Sequence, residues 1–304
     1  QMKRKLKSLA ALAMSAAMVL SMAACGSGDG SAASAASAAS EAGSTAAAQT
    51  EAAGDQHLNI LLGGTVNNLD PDASSWTGEY QIVTQSQASL LRIVTDDNDK
   101  DTYVEDGCES YEVSDDGLTY TINLRDDVYF QKGKFQDGRK MTADDVVYSL
   151  ERSKEESTTD RICRDFFDYC EAASPTQVVI HMKSVAGPFI SQLAGIGNAI
   201  LPKEEVEGWG EDFGSHIVGT GAFTLEEIVT DEKVTLKKNE NYWGTEPNVD
   251  GIEFRIISDS NQAINAVQTG EVDIAMYLQG EAIKRAQDAD LLLQAPSSAV
   301  TFVR

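Results

Sequence analysis

Basic side chains are scarce in this 304-residue sequence, and their scarcity limits the partners that the protein can have. Lysine and arginine number 24 against 48 aspartates and glutamates, which gives a formal net charge of −24. Binding to nucleic acid needs clustered cations to neutralise phosphates, so we do not expect a nucleic-acid partner. An acidic balance favours cationic solutes, but we interpret it first as a well-solvated surface that keeps an exported protein soluble.

Cysteine and histidine are also rare, which argues against a metal site. The four cysteines, Cys25, Cys108, Cys163 and Cys170, include no C-x-x-C pair and have no histidine near them. A zinc site is therefore not expected, and we predict neither a metal nor a cofactor. Beyond Cys25 the count is odd, so at least one thiol is free or pairs with another molecule, while Cys163 and Cys170 are candidates for a local disulfide.

Signatures of catalysis are missing as well. The three histidines, His57, His181 and His216, are scattered, and the sequence contains neither H-E-x-x-H nor G-x-S-x-G. Gly63-Gly64 is not followed by the Gly-Lys-Ser/Thr of a phosphate-binding loop. We therefore expect a protein that is not an enzyme.

The first residues carry a strong export signal. Basic residues at positions 3–7 precede an apolar run from Leu9 to Met22, which is shorter than the roughly 20 residues of a membrane-spanning helix and has the size of a signal-peptide core. The sequence from Met22 to Cys25 resembles the lipobox of bacterial lipoproteins, in which the cysteine is acylated and becomes the first residue. This predicts a signal peptide over 1–24 and lipidation at Cys25. An ordinary signal peptide with an incidental cysteine is the alternative.

A low-complexity segment follows. Residues 26–54 are almost entirely Ser, Ala, Gly, Thr and Glu, without aromatic or large aliphatic side chains. Such a segment buries too little apolar surface to offset its ordering entropy, so residues 25–56 are predicted to be a lipid-anchored cysteine and a flexible linker. Alanine alone would favour a helix, but the interspersed Ser and Gly argue against a stable one.

Alternating strands and a capped helix open the remaining 250 or so residues. The sequence predicts a strand over His57–Leu62 and a helix from about Gln81 to Ile93. A hairpin is predicted with its turn at Ser114–Gly117 and its second strand over 119–124. A helix with Thr142 as N-cap and Asp145 at its third position should run to about Arg152.

The later part of the sequence predicts a β-α-β unit. A hairpin over 223–229 and 233–238 is followed by a strand over 252–257 and a helix that starts near Ser258 and ends at Gly270. A short buried strand is expected over 271–275. A strand, a helix and a strand with short connections indicate parallel pairing in at least one sheet.

Several sequence blocks occur in one order along this part of the chain: Asp116–Asp126, Phe135–Gly138, Thr142–Leu150, Val218–Phe223, Asn239–Gly244 and Thr269–Ile274. Together they resemble extracellular solute-binding protein family 5, which includes oligopeptide-, dipeptide- and nickel-binding lipoproteins of ABC importers. Ala222 stands where proline is common in the family's Gly-Thr-Gly-aromatic region. The resemblance extends from His57 to Arg304.

The resemblance implies an α/β fold with two lobes, a type II periplasmic-binding-protein-like fold with an extra small α+β domain. Lobe I would comprise 57–90 and 191–276, and the inserted small domain 91–190. Lobe II would start within 277–304. Because the family continues well past this point, we expect the sequence to be truncated at its C-terminus, with the second lobe largely missing.

The resemblance also suggests residues that contact a solute. The loop after Leu69-Asp70-Pro71 would line the cleft, which makes Ser75, Trp76, Thr77 and Gly78 candidates, and Tyr148 matches a position whose ring faces the ligand in relatives. Aromatic platforms with a few placed polar groups suit small polar solutes. Packing in the protein interior is the alternative role for both Trp76 and Tyr148.

The function implied is that of an extracytoplasmic substrate-binding lipoprotein. It would capture a small solute, foremost an oligopeptide or dipeptide, and deliver it to an ABC permease and its ATPase subunits. The protein would be a monomer, held by its lipid at the outer face of the cell membrane or on the periplasmic side in a diderm. A nickel chelate, an oligosaccharide or an opine are alternative solutes, and a sensor or adhesin without transport is an alternative role.

Overall fold

A computed structural model of the protein describes residues 56–74, 76–96, 100–158 and 161–291. No helix within these ranges is long and apolar enough to cross a membrane. The strands are β1 (His57–Leu62), β2 (Leu91–Thr95), β3 (Asp101–Glu105), β4 (Cys108–Val113), β5 (Thr119–Leu124), β6 (Phe167–Ser174), β7 (Gln177–Met182), β8 (Phe223–Val229), β9 (Lys233–Lys238), β10 (Gly251–Ile256) and β11 (Ile274–Ala275). The helices are α1 (Thr77–Ser86), α2 (Ala143–Glu156), α3 (Arg161–Phe166), α4 (Phe189–Leu193), α5 (Lys203–Trp209), α6 (Ser260–Thr269) and α7 (Glu281–Asp288).

The first sheet has the strand order β11-β1-β10-β9-β8. Strand β1 pairs in parallel with β10 on one side and with β11 on the other, so the predicted parallel pairing is confirmed. The β8–β9 hairpin is antiparallel and has the predicted bounds. Helix α6 ends at Gly270, whose φ of 73° is the left-handed conformation expected of a helix C-cap glycine.

The second sheet is antiparallel, with the order β4-β5-β7-β6, and strands β2 and β3 form a separate two-stranded sheet. The predicted hairpin is confirmed as β4 and β5, with Gly117 at a φ of 70° in its turn. The predicted cap of α2 is also confirmed, because the Asp145 carboxylate accepts the backbone N–H of Thr142 at 2.8 Å. Buried apolar side chains of this sheet pack against α2 and α4.

Two local predictions were wrong. Helix α1 covers Thr77–Ser86 instead of Gln81–Ile93, because the β-branched side chains after Leu91 form a strand that pairs with β3. The strand expected over 271–275 is only the two-residue edge strand β11, and Ile274 is 44 % exposed. The sequence left open whether Cys163 and Cys170 are bridged, and Cys170 on β6 is a free buried thiol, whose pKa burial raises to about 12.

The Gly-Thr-Gly block joins the two larger hydrophobic clusters through backbone contact. A Cβ atom on Gly221 would lie 2.5 Å from the carbonyl carbon of Ser86, at the end of α1. The buried amide of Gln131 donates to the Ser86 and Phe223 carbonyl oxygens at 3.0 and 2.8 Å. The Gln131 backbone N–H donates to the carbonyl oxygen of Gly219 at 2.8 Å. The glycines are therefore required by close backbone approach.

A buried ion cluster fastens α2 to the loop that precedes α1. The Arg152 guanidinium lies 2.6 Å from a carboxylate oxygen of Asp70 and 2.6 Å from one of Asp72, and its Nε lies 3.0 Å from Glu156. Asp72 is 3 % exposed and shares this guanidinium with two other carboxylates. Burial therefore outweighs the attraction of Arg152 and raises the pKa of Asp72 from its ordinary value of 3.8 to about 7.

We predict that Gly221→Ala destabilises the protein by about 1–3 kcal/mol, because the added methyl group has to displace backbone. Gly187→Ala is the matched control, since a Cβ atom there meets nothing within 4 Å. Urea denaturation of the two variants and the wild type measures the effect. Equal stability of Gly221→Ala and Gly187→Ala would contradict the close approach.

We predict that Asp72 makes the stability depend on pH between about 4 and 7. In that window the folded protein holds a proton on Asp72 that the unfolded chain has released, so the free energy of unfolding falls as the pH rises and levels off above the folded pKa. In Asp72→Asn this slope should be smaller, as measured by urea denaturation at a series of pH values. The exposed Asp126→Asn is the control and should parallel the wild type; a wild-type slope in Asp72→Asn would refute the prediction.

Candidate functional site

The carboxyl ends of the parallel strands mark the candidate site. In open α/β sheets, ligands bind beyond the carboxyl ends of the strands, where the connections to neighbouring strands part. Here β1 leads into Gly63-Gly64, and β11 leads into Met276-Tyr277 beside it. A Cβ atom on Gly63 would lie 3.6 Å from the Cβ atom of Tyr277, so the two segments are in contact.

The indole of Trp76 packs between two glycines at this edge. A Cβ atom on Gly64 would lie 3.0 Å from Cζ2 of Trp76, and one on Gly78 would overlap the same ring. The ring of Tyr277 lies next to the indole, with centroids 5.9 Å apart at 49°. Trp76 and Tyr277 are both partly exposed. The two rings therefore form an aromatic face that packs against the protein on its inner side and is exposed on its outer side.

Buried hydrogen bonds fix the loop that presents Trp76. The carboxylate of Glu79, which is 2 % exposed, accepts the backbone N–H groups of Asn67 at 2.7 Å and Asn68 at 3.0 Å through one oxygen. Its other oxygen lies 3.4 Å from the backbone nitrogen of Trp76. A desolvated carboxylate with backbone donors is a strong constraint, so the loop enters α1 in one conformation.

The backbone of Tyr277 supports a functional role for this edge. Its φ is 60°, in the left-handed region that non-glycine residues rarely adopt. Such outliers occur preferentially at binding sites, where surrounding contacts hold them in place. Tyr277 was not among the residues predicted from the sequence to contact a solute. Its position directly after a strand predicted to pair in parallel could have indicated that it lies at this edge.

The structure brings three of the predicted residues together at the start of α1. Trp76 is the N-cap residue, Thr77 is the exposed first residue of the helix, and Gly78 is buried beneath the indole. Trp76 also packs on the hydrophobic cluster of the first sheet, which is the packing role that the sequence gave as the alternative. Ser75 and Cys25 lie outside the described residues.

Tyr148 occupies a different environment. It lies on α2 and packs against the buried cluster of Ala199, Leu201, Val206 and Phe213. Burial raises the pKa of its hydroxyl to about 12. Its exposed part lines an open depression of about 730 Å³ whose other side chains include Asp70, Glu207 and Glu211. One part of the Tyr148 side chain therefore packs in the protein interior, and the exposed part lines an acidic depression.

Metal coordination finds no support among the described side chains. Within 56–74, 76–96, 100–158 and 161–291 there is no group of three or more His, Cys, Asp or Glu residues arranged to hold an ion. The side chains at the candidate site are aromatic and neutral polar groups. Such a set recognises its ligand by stacking and hydrogen bonding.

Known proteins with similar sequences are solute-binding proteins. The chain is 32 % identical over 261 residues to the glutathione-binding protein GsiB of Salmonella paratyphi A, an alignment that covers 83 % of this chain and 48 % of GsiB. The chain thus spans about half the length of the curated relatives it matches.

Solved structures give the same result for the fold. The binding protein MoaA of A. tumefaciens R10, in complex with mannopinic acid, superposes with a TM-score of 0.69 at 26 % identity over 78 % of this chain and 47 % of MoaA. The periplasmic binding protein DppA of Helicobacter pylori, in complex with the peptide STSA, superposes with a TM-score of 0.67 at 23 % identity over 77 % of this chain and 48 % of DppA. The chain therefore has part of a two-lobed, mixed α/β binding-protein fold.

The family model for bacterial extracellular solute-binding proteins, family 5 middle, matches residues 102–304, about two thirds of the chain. This match covers the second sheet, the Gly-Thr-Gly block and the strands that flank β1. The chain belongs to the bacterial extracellular solute-binding proteins of family 5.

Proposed function

We propose that the protein is the substrate-binding component of an ABC importer and captures a small solute against the aromatic face of Trp76 and Tyr277. The observation that carries the proposal is the indole held between Gly64 and Gly78 at the carboxyl ends of β1 and β11. A rigid, half-exposed aromatic face stacks on a solute at little entropic cost, because the ring is ordered before binding. The permease and its ATPase subunits are the proposed partners, and no catalytic step is proposed.

The proposed solute is a short peptide of two to a few residues. The similarity to GsiB, whose name gives glutathione, a tripeptide, as its ligand, supports this choice. The acidic depression beside Tyr148 would attract the amino group of a peptide that reaches it.

An opine is the second candidate solute. MoaA, solved with mannopinic acid, is as similar in structure as the peptide-binding neighbour and 26 % identical in sequence. Peptides and opines both carry a free carboxylate and a nitrogen that can form hydrogen bonds. A binding screen has to contain both.

We also propose export and anchoring. The basic, apolar and lipobox-like segments of residues 1–25 support cleavage before Cys25 and lipidation of its thiol, and residues 26–56 would be the linker. Incorporation of labelled palmitate into the wild type but not into Cys25→Ser would test this proposal. We further propose that 57–90 and 191–276 belong to lobe I, that 91–190 form the inserted domain, that lobe II starts near 277, and that the protein acts as a monomer.

The test of the proposed function is ligand-dependent stabilisation of the complete gene product that contains this chain. At a ligand concentration a hundred times the Kd, stability should rise by about 2.7 kcal/mol. The screen contains glutathione, a dipeptide and tripeptide library and mannopinic acid, and thermal unfolding is the readout. Stabilisation by mannopinic acid alone would overturn the peptide assignment, and no stabilisation by any of these compounds would overturn both candidates.

We predict that Trp76→Ala weakens binding of the stabilising ligand at least tenfold, about 1.4 kcal/mol, because the stacking surface is lost. Isothermal titration calorimetry of the complete gene product measures the change. The control is Tyr103→Ala, which removes a 38 % exposed aromatic ring from β3. Unchanged affinity in a folded Trp76→Ala variant would mean that the indole is only a packing residue.

A further inference from the structure

A groove runs along β8, which is the edge strand of the first sheet opposite to β11. It measures about 520 Å³ and is lined by every residue from Thr224 to Ile228. Side chains of a strand alternate between the two faces of a sheet, so a pocket over one face would meet only every second residue. Lining by consecutive residues therefore places the groove beside the strand, on the side that β9 does not occupy. We call it the β8-edge groove.

Hydrogen bonds of the sheet show which peptide groups of β8 point toward this groove. The Lys238 N–H donates to the Asp250 carbonyl oxygen at 2.7 Å, so the peptide groups of Lys238 face β10. Phe223 is paired opposite Lys238, and its own peptide groups therefore face away from β9. The Gln131 amide agrees with this direction, because it donates to the Phe223 carbonyl oxygen from outside the sheet at 2.8 Å.

Leu225 and Ile228 also direct their peptide groups away from β9. Peptide directions alternate along a strand, so Leu225 follows Phe223 outward. The β-bulge between Leu225 and Glu227 shifts the alternation by one residue, which makes Ile228 the next outward residue. Both residues are partly buried and line the groove, and within the described part of the chain their outward N–H and C=O groups have no hydrogen-bond partner. A strand edge with such groups is a template for pairing with another strand.

Trp209 belongs to the opposite wall of the groove, together with Lys134 and His216. The Trp209 Nε1–H donates to the buried carboxylate of Glu205 at 3.1 Å. The imidazole of His216 stacks on the indole, with ring centroids 3.5 Å apart at 13°, and Nζ of Lys134 lies 4.1 Å from the Trp209 ring centroid. Because the imidazole covers one face of the indole, the ammonium group lies over the other. The wall is therefore ordered by contacts within the protein.

Lys134 supplies a positive charge that is available to a ligand in the groove. It is exposed, its contacts are with the rings of Phe135 and Trp209, and it has no carboxylate partner among the described residues. Lys132 on the same wall is different, because its ammonium group lies 2.5 Å from the carboxylate of Asp137. An unpaired cation in a protein with a net charge of −24 favours an acidic side chain on the ligand.

We propose that the β8-edge groove binds an extended segment of a partner protein that carries an acidic side chain. The segment would pair with β8 as an added strand, donating to the carbonyl oxygens of Leu225 and Ile228 and accepting from their N–H groups. Its acidic side chain would lie beside Lys134. A second copy of β8 fits less well, because antiparallel pairing through Leu225 and Ile228 would place Glu226 of one copy opposite Glu227 of the other.

The test uses the complete gene product labelled with 5-fluorotryptophan and observed by ¹⁹F NMR. The chain contains three tryptophans, and single Trp→Phe variants assign the resonances of Trp76, Trp209 and Trp243. The probe is the peptide acetyl-Val-Thr-Glu-Thr-Val-amide, whose β-branched residues favour an extended chain and whose blocked ends carry no charge. We expect saturable movement of the Trp209 resonance. The same peptide with methylated backbone nitrogens cannot donate to β8 and should bind at least tenfold more weakly.

Leu225→Pro removes one of the N–H groups that the added strand would use. Proline is tolerated in an edge strand where its nitrogen faces away from the neighbouring strand, so the β8–β9 pairing should remain. We expect Leu225→Pro to weaken the Trp209 response at least tenfold, whereas the control Leu225→Val, which keeps the N–H, should bind the probe like the wild type. If Leu225→Pro does not fold, the methylated peptide decides the question, because it leaves the protein unchanged.

A second pair of peptides tests the charge of the ligand. Replacing the glutamate of the probe with lysine should weaken binding about two- to fivefold, and this preference should disappear in Lys134→Gln. The Trp76 resonance reports separately on the proposed importer site, since three strand spacings, about 14 Å, separate β1 from β8. The failure of one proposal is thus distinguishable from the failure of the other.

Three results would overturn the proposal. They are a Trp209 resonance that the probe does not move, as expected if another part of the polypeptide fills the groove; equal binding of the methylated and unmethylated peptides; and equal binding of the glutamate and lysine peptides by the wild type. A Trp209 response that methylation of the probe abolishes and that Lys134→Gln makes insensitive to the charge of the probe supports it.

Discussion

The buried carboxylate of Glu79 holds the loop on which the candidate site depends. It accepts backbone N–H groups from Asn67 and Asn68 and approaches that of Trp76, so one side chain from the first turn of α1 fixes both ends of the preceding loop. A buried charge is costly unless several donors satisfy it, and these donors exist only in one loop conformation. The position of Trp76 over the ends of β1 and β11 follows from this constraint.

Buried side chains that hydrogen-bond to the backbone of a loop also occur at the sequence blocks that resemble the family. The carboxylate of Glu205, which is fully buried, accepts the backbone N–H groups of Phe135 and Gln136 at 2.6 and 3.0 Å. Nδ2 of Asn239 donates to the Gly221 carbonyl oxygen at 2.9 Å. These block residues position loops and glycines, and their side-chain partners are other parts of the protein. The blocks therefore identify the scaffold, whereas Trp76, Tyr277 and Tyr148 have exposed surface and are the residues on which we propose that solute choice depends.

Sequence reasoning predicted most strands and helix caps because their signals are local. The β8–β9 hairpin alternates with period two, and Thr142 with Asp145 forms a reciprocal cap. The limits of α1 were missed because they depend on tertiary contacts: Glu79 starts the helix from its first turn, and pairing with β3 turns the apolar run after Leu91 into a strand. Propensity alone does not contain such contacts.

The candidate site was only partly predictable for a similar reason. Trp76 and Gly78 were found by family resemblance, but Gly64 and Tyr277 join them only after β1 and β11, more than 200 residues apart, pair in the sheet. Sequence thus indicates which side chains suit a binding site, and the topology decides which of them meet.

Hydrogen–deuterium exchange of the complete gene product, with and without the peptide that stabilises it, tests the central claim most directly. If the solute binds at the carboxyl ends of β1 and β11, amides in residues 63–80 and 274–280 should exchange more slowly with ligand, while those of the β8–β9 hairpin should not change. Protection confined to the β8–β9 hairpin, or an unchanged rate throughout 63–80, would contradict the account.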